Sequence, residues 1–596
     1  MASLVRSVII SLLILCASGL WMMQENRYHV IDNECVELWV HAPSTVQAEK
    51  SFEFHVQAWD NYERLSSIYN GEVSFELVSF AYQPSIYPIY SFAILPENYS
   101  FSGDIIEQGL IPGYKISSID GKDRGKHTFI GKIMKAGIHY IKVKDNLGNV
   151  ALSNPIQVID GEPSRYLYWG DIHGHSALCD GSGYLEDAYK FAKEVAYLDF
   201  ASVTTHDDWT DYYGTAPDFG HLWEISKAAA NRWNSPEDFV TLVSYEWTAQ
   251  LLGYGHMCVY YKGDDGPMIS SSYPWYKSQD LLWNALREWK QSSGSDVITI
   301  PHHTGHVSSG MYFDWSFYDP EFVTLVEICS AHGSSEKVNG LKTIKPGESK
   351  IHGYHVQDAL AMGYKVGFMA SSDQHDGRLG HPILHTDANT RFQYPYTSMG
   401  LIGGFRFGEE YEGTLTGLYC ENLTRNGVFD ALKQRSCYAS THVKRPIIDF
   451  SINEVSVGQD DSTVYVDSLD YSPYIEVFIA IDAGQEDNLI KNITLVKNNV
   501  DIHSIKPPDD PLVYRYIYND VQKLTGMNYT YGLEDENGYK ITPKAKIYLS
   551  NYSTAKPPST NWDGVGYSDI TDVYYVRIVQ EKGEMAWIGP IWVKLK

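Results

Sequence analysis

The chain has 596 residues, 43% hydrophobic, 14% aromatic and 20% charged, which supplies several cores and far too much apolar surface for a disordered chain. Its 47 Lys+Arg against 74 Asp+Glu give a net charge of −27, a surface that repels nucleic-acid phosphates and anionic lipid heads and excludes a general polyanion-binding role. Metal cations are compatible with that charge.

Residues 1–23, MASLVRSVIISLLILCASGLWMM, place Arg6 ahead of an apolar run at 8–15 and the small residues Ala17, Ser18 and Gly19. This is the anatomy of a secretory signal peptide, with an uncleaved anchor or a lipid on Cys16 as the alternative tether. The mature chain is expected to be secreted or periplasmic, with no nucleic-acid partner and no stable membrane insertion after signal cleavage. Cys35, Cys179, Cys258, Cys329, Cys420 and Cys437 then remain, without a CxxC pair, so no cysteine zinc site is indicated. Cys420 and Cys437 can pair, and Cys179, Cys258 and Cys329 read as buried packing. Sequons at Asn98, Asn422, Asn492, Asn528 and Asn551 matter only in a glycosylating host.

Residues 28–160 read as an immunoglobulin-like β-sandwich: Phe52, Phe54, Val56 and Ala58 alternate with polar positions, and IHYIKV and NVAL flank the turn-like DNLGN. From 165 to 445 short β-rich runs (RYLYWGDI, LDFASVTT, FVTLVSYE, DVITIPH, FVTLVEIC, KVGFMASS) alternate with helical stretches such as LEDAYKFAKEVAYL and QDLLWNALREWKQ. That alternation predicts a parallel sheet or barrel. Residues 446–596 return to β patterning, with YIEVFIAIDA, NITLVKNNVDIHSI, YYVRIVQ and AWIGPIWVKLK, and are expected to form a C-terminal β-sandwich.

Metal-capable residues collect at the ends of the middle region's strands. GDIHGHSALCDG supplies His173, His175 and Asp180; TTHDD supplies His206; SYEW and GHMCVYY supply Glu246 and His256. IPHHTGH supplies His302, His303 and His306, and SSDQH supplies Asp373 and His375. Residues two apart on a strand share a face, so His173 with His175, and Asp373 with His375, each form a two-pronged claw. Imidazoles with carboxylates suit zinc, manganese or iron, and a set this size holds two or three divalent ions. No Walker loop, Rossmann fingerprint, G-x-S-x-G elbow or H-E-x-x-H helix is present.

GDIHGHS…CDG, TTHDD, the Glu of SYEW, IPHH and SSDQH resemble the successive motifs of the PHP (polymerase and histidinol phosphatase) superfamily. The whole chain resembles its large exported branch, catalogued as a domain of unknown function, including YYVRIVQ and AWIGPIWV near the end. The resemblance implies a distorted seven-stranded β/α barrel at 165–445, flanked by β-sandwiches. It implies metal ligands at His173, His175, Asp180, His206, Glu246, His256, His302, Asp373 and His375. CYASTHVKR departs from the branch by placing His442 where glycine is usual.

The expected activity is that of a metal-dependent hydrolase, a phosphoesterase whose nucleophile is a hydroxide between two metals. Arg378 is a candidate clamp for the anionic group, and Asp207, His303 and His332 are candidates for proton transfer. The substrate is expected to be a small-molecule or glycan-linked anion. The rival readings are a hydrolase or lyase on another anionic or sugar-like substrate, with Trp209, Tyr245 and Trp247 stacking on a sugar, and a non-catalytic carbohydrate-binding protein. Oligomeric state is left open.

Overall fold

The computed structural model describes residues 34–596 apart from 208–218, 345–352, 381–410, 542–570 and a number of shorter breaks. The signal-like segment at 1–23, Trp209, His442, Asn528 and Asn551 lie outside the described residues.

The amino-terminal region is built from two antiparallel-dominated sheets. One has four strands in the order Glu37–His41, Ser51–Trp59, Lys126–Ile133, Ala93–Ile94. The other centres on Gly137–Asp145, flanked by Glu72–Phe80 on one side and by Ile156–Ile159 and Val150–Leu152 on the other. Phe54, Val56 and Ala58 point inward with Ile141 and Val143 to make the core. A period-2 pattern of branched and aromatic side chains does this because alternate residues of a strand face the opposite sheet.

The middle region does not form the expected seven-stranded β/α barrel. Its strands divide among three sheets, and among the described residues none closes. Tyr166–Asp171, Phe200–Ala201 and Val240–Thr241 are parallel neighbours. Val243–Thr248, His256–Tyr261 and Val297–Pro301 instead make an antiparallel three-stranded sheet. Leu325–Ser330 pairs in parallel with Gly367–Ala370 in the third.

Two physical causes account for the difference. The connection between Val243–Thr248 and His256–Tyr261 is only residues 249–255, too short for the helical crossover that parallel pairing requires, so the chain reverses. The free side of Tyr166–Asp171 is taken by Leu415–Cys420, which leads through Cys437–Ser440 to Met585–Leu595 and Thr571–Gln580. The result is an open sheet of ten strands running from the middle region into the carboxyl-terminal one. Thr571–Gln580 is buried at all ten positions, as expected of a strand covered on both faces. A separate four-stranded sheet (Val455–Ser456, Ile447–Ile452, Tyr474–Ala480, Val513–Asn519) completes the carboxyl-terminal region.

Helices pack where apolar spacing allows. Leu185–Glu194 buries Leu185, Ala188, Tyr189 and Ala192, one face at i, i+3, i+4 and i+7. Gln279–Ser293 buries Leu282, Trp283 and Leu286 and ends at Gly294, whose left-handed backbone (φ 70°) closes the last turn. Among the described residues no helix is long and apolar enough to cross a membrane. Cys420 and Cys437 are free thiols.

Candidate metal centre

The two claws are fastened to each other through the backbone. Asp373 N donates to His173 O at 2.9 Å and His175 N donates to Gln374 O at 2.8 Å. Asp171, at the end of the first strand, reinforces this junction: its carboxylate accepts from Ser372 N at 2.9 Å and from Gly380 N at 2.8 Å. Burial pushes the Asp171 carboxyl up to about 6. Asp373 holds a left-handed backbone (φ 52°), a conformation that non-glycine residues adopt at a cost and that recurs where a side chain must be aimed.

From the other side, Val243–Thr248 and His256–Tyr261 bring Glu246 opposite Cys258 and Thr248 opposite His256. His206 is bridged to Glu246 in parallel. Glu246, fully buried, is the hub. Its Oε1 lies 2.7 Å from His256 Nδ1 and 3.1 Å from His302 Nε2. Its Oε2 lies 3.3 Å from His173 Nε2, 3.2 Å from His175 Nε2 and 3.4 Å from His206 Nδ1. Asp373 is a second hub: Oδ1 is 3.2 Å from His173 Nε2 and 3.0 Å from His175 Nε2, and Oδ2 is 2.9 Å from His332 Nε2. Asp180 Oδ1 faces His375 Nε2 at 3.3 Å and His206 Nε2 at 3.5 Å.

All nine residues expected as ligands therefore fall in one cluster. Four groups of donor atoms, each within 4.8 Å, can hold a metal ion: His173, Glu246, Cys258 and His302; His175, Asp180, His206 and His375; His256, His302 and His303; and His173, His175, Glu246 and Asp373. The chemistry of the set fits divalent ions. His256 Nε2 and the Nδ1 atoms of His302 and His303 are buried without a hydrogen-bond partner, and such atoms are costly unless something takes their lone pairs.

The electrostatics agree with a site built to hold cations. Burial opposes ionisation of Glu246 and Asp373, yet His206 with the hydrogen bonds of His173 and His175 beside the first, and His173 and His332 beside the second, keep both carboxyls well below the usual range. Burial lowers His302 to about 3, helped by His173. It also holds His303 well below its ordinary value, with His302, His256 and His332 adding to it. These two rings are neutral donors, the form a metal takes.

The remaining sequence candidates divide. His332 touches Asp373, and His303 packs 3.9 Å from His302 between ring centroids. Asp207 is turned away from the cluster: its carboxylate accepts from Thr248 N at 2.8 Å and from the backbone N of Ser271. The Arg378 guanidinium stacks 4.9 Å above Phe191 and 6.0 Å from Trp59 of the amino-terminal sheet. Tyr245 and Trp247 are wholly buried in the core, so neither offers a face to a sugar.

One contributor, Glu327, was missed in the sequence, and two, Cys258 and Cys179, were read there as packing. Glu327 Oε2 accepts from His173 Nδ1 at 2.9 Å, and burial pushes its carboxyl up to about 7. A lone carboxylate inside the apolar run LVEIC is the signal that marks it. Cys258 lies within the first ligand group, two residues from His256 and hence on the same strand face. Cys179 Sγ is 3.4 Å from His175 Nδ1.

Residues 192–327 match the family described as "Protein of unknown function (DUF3604)". The chain is similar to an uncharacterized protein of Chlamydia trachomatis, 23% identical over 559 residues, covering 93% of this chain and 73% of the relative. It is similar to another from Chlamydia pneumoniae, 24% identical over 565 residues with the same coverage. Among solved structures it is similar to a two-domain protein from Bacteroides vulgatus described as containing a predicted PHP-like metal-dependent phosphoesterase. That protein is 14% identical, with 64% of this chain and 95% of that chain covered, at a TM-score of 0.30, a likeness too low to carry an argument.

Proposed function

We propose that the chain is a metal-dependent hydrolase acting on phosphate esters. The observation that carries this reading is the sharing of ligands between adjacent groups: Glu246, His173, His175 and His302 each belong to two of the four, the arrangement of a polynuclear centre rather than a single structural ion. The sequence likeness to PHP motifs supports phosphate over other esters. Bound divalent ions supply Lewis acidity and neutralise charge on a phosphoryl group.

The chain's own residues then have distinct tasks. His173, His175, Glu246 and Asp373 hold the inner, wholly buried side. Asp180 and His375, 26% and 23% exposed, with His206 at 11%, form the side open to a substrate. Glu327 holds the His173 ring in one tautomer through Nδ1, which leaves Nε2 for the site. His332, part-exposed beside Asp373, is the imidazole placed to give a proton to the leaving oxygen.

The test is hydrolysis by the metal-loaded chain of a panel of phosphomonoesters, phosphodiesters, sulfate esters and glycans, against the Asp373→Ala plus His375→Ala double variant. Phosphate-ester turnover lost in the variant is expected. Turnover unchanged in the variant, or confined to the other substrates, would overturn the reading.

A further inference from the structure

The carboxyl-terminal region contains a second buried charge cluster that takes no part in the metal centre. Lys497 ends the Ile490–Lys497 strand, Asp520 directly follows Val513–Asn519, and Asp572 is the second residue of Thr571–Gln580. Lys497 Nζ lies 2.7 Å from Asp520 Oδ2 and 3.0 Å from Asp572 Oδ2, and the three side chains are 3%, 0% and 0% exposed. Two carboxylates and one ammonium leave a net negative charge in a low-dielectric interior, a costly arrangement for packing alone.

The carboxylates are not equivalent. Asp572 Oδ1 accepts from Asn498 Nδ2 and Gly526 N, both at 2.8 Å, and from Thr525 N at 3.3 Å. Asp520 Oδ2 accepts the Tyr574 hydroxyl at 2.7 Å in addition to the ammonium, and its Oδ1 accepts Gln522 N at 2.9 Å. The ammonium also sits 5.3 Å from the Tyr574 ring centroid. A nucleophile, an acyl donor, a base and a hydrogen-bond donor on the leaving oxygen are assembled away from water.

We propose that Lys497 and Asp520 become joined by an autocatalytic isopeptide bond, with Asp572 as the proton relay. Asp572 takes a proton from the Lys497 ammonium, and the freed amine attacks Cγ of Asp520. The Nζ–Cγ bond forms and the Cγ–Oδ2 bond breaks. Two of the ammonium's three protons leave with that oxygen as water, relayed by Asp572 with the Tyr574 hydroxyl bonded to the departing atom. One proton stays on the amide, and Asp572 ends ionised as it began. No oxidant or cofactor enters the balance. Amide formation is uphill between separate groups in water, but oriented contact is worth an effective molarity on the order of 10⁵–10⁸ M, and the product removes a buried pair of charges.

The bond ties the ten-stranded sheet, through Ile490–Lys497, to the four-stranded sheet, through Val513–Asn519. Among the described residues no disulfide does this, since all the described cysteines are free.

The experiment is a tryptic digest of the denatured full-length chain read by mass spectrometry. The expected product is a branched peptide linking Lys497 to Asp520, lighter than its two parts by one water, with no cleavage after Lys497. Linear peptides with complete cleavage after Lys497 would overturn the proposal without recourse to any variant. In an Asp572→Asn chain shown to be folded by circular dichroism, linear peptides are expected; the branch forming there unchanged would overturn the relay role.

Discussion

Replacing Glu246 by glutamine keeps the shape of the side chain and removes one negative charge from the point where five imidazoles converge at 2.7–3.4 Å. A unit charge pair 3.3 Å apart interacts by roughly 5 kcal/mol at an effective dielectric constant of about 20. Removing one member of a buried pair costs about 3–5 kcal/mol in practice. At about 1.4 kcal/mol per decade, this loss weakens metal binding by roughly two to three and a half orders of magnitude. Stoichiometry falls as well, because Glu246 belongs to two of the four ligand groups. The assay is elemental analysis of the purified variant, with metal Kd from competition against a chromophoric chelator and circular dichroism to establish that the fold is kept. A folded Glu246→Gln chain with wild-type stoichiometry and an unchanged Kd would refute the assignment of Glu246 as the shared ligand.

Glu327→Gln is expected to weaken metal binding about 10–100-fold by loosening the His173 ring, measured by the same competition. It also has a pH signature in the metal-free chain. The folded carboxyl sits near 7, above its ordinary 4.5, so its contribution to stability is full below pH 4.5 and is lost as pH rises through 7, by on the order of 3 kcal/mol. Urea midpoints at the two ends of that window should differ less in Glu327→Gln than in wild type, and equal differences would refute the point. Asp207→Ala should lower stability by roughly 1–3 kcal/mol, because it leaves the backbone donors of Thr248 and Ser271 unpaired, while metal stoichiometry stays at the wild-type value. Gly181→Ala should lower stoichiometry in a chain that still folds: its Cβ would stand 2.6 Å from the His175 carbonyl carbon and 2.7 Å from Ser176 N, displacing the neighbouring Asp180.

The metal-capable residues were more legible than the architecture. HxH and DxH declare themselves by donor type, although His173, His175, Asp373 and His375 lie just past the ends of Tyr166–Asp171 and Gly367–Ala370 and Asp373 is left-handed (φ 52°), so the strand period of two is not what aims them. Strand identity does not specify strand partners, however. FVTLVSYE reads the same whether it joins a parallel sheet or turns back on His256–Tyr261, and only the shortness of 249–255 distinguishes the cases. Nor does composition show that Met585–Leu595, some four hundred residues away, sits in the sheet that holds Tyr166–Asp171. The surroundings of single residues were not legible either: the backbone N–H groups of Thr248 and Ser271 that Asp207 accepts from, and the Phe191 ring beneath Arg378, come from distant parts of the chain.

The order of strands in the ten-stranded sheet has a consequence for the timing of assembly. Tyr166–Asp171, which delivers His173 and His175, is separated from Met585–Leu595 by only Leu415–Cys420 and Cys437–Ser440. During synthesis the strand behind the first claw therefore waits for some four hundred further residues before its sheet is complete, a long-range closure of the kind that folds slowly. A chain truncated before Met585–Leu595 would carry every candidate ligand in its sequence with that sheet still unfinished, so the strand behind the first claw leans on residues far removed from it along the chain.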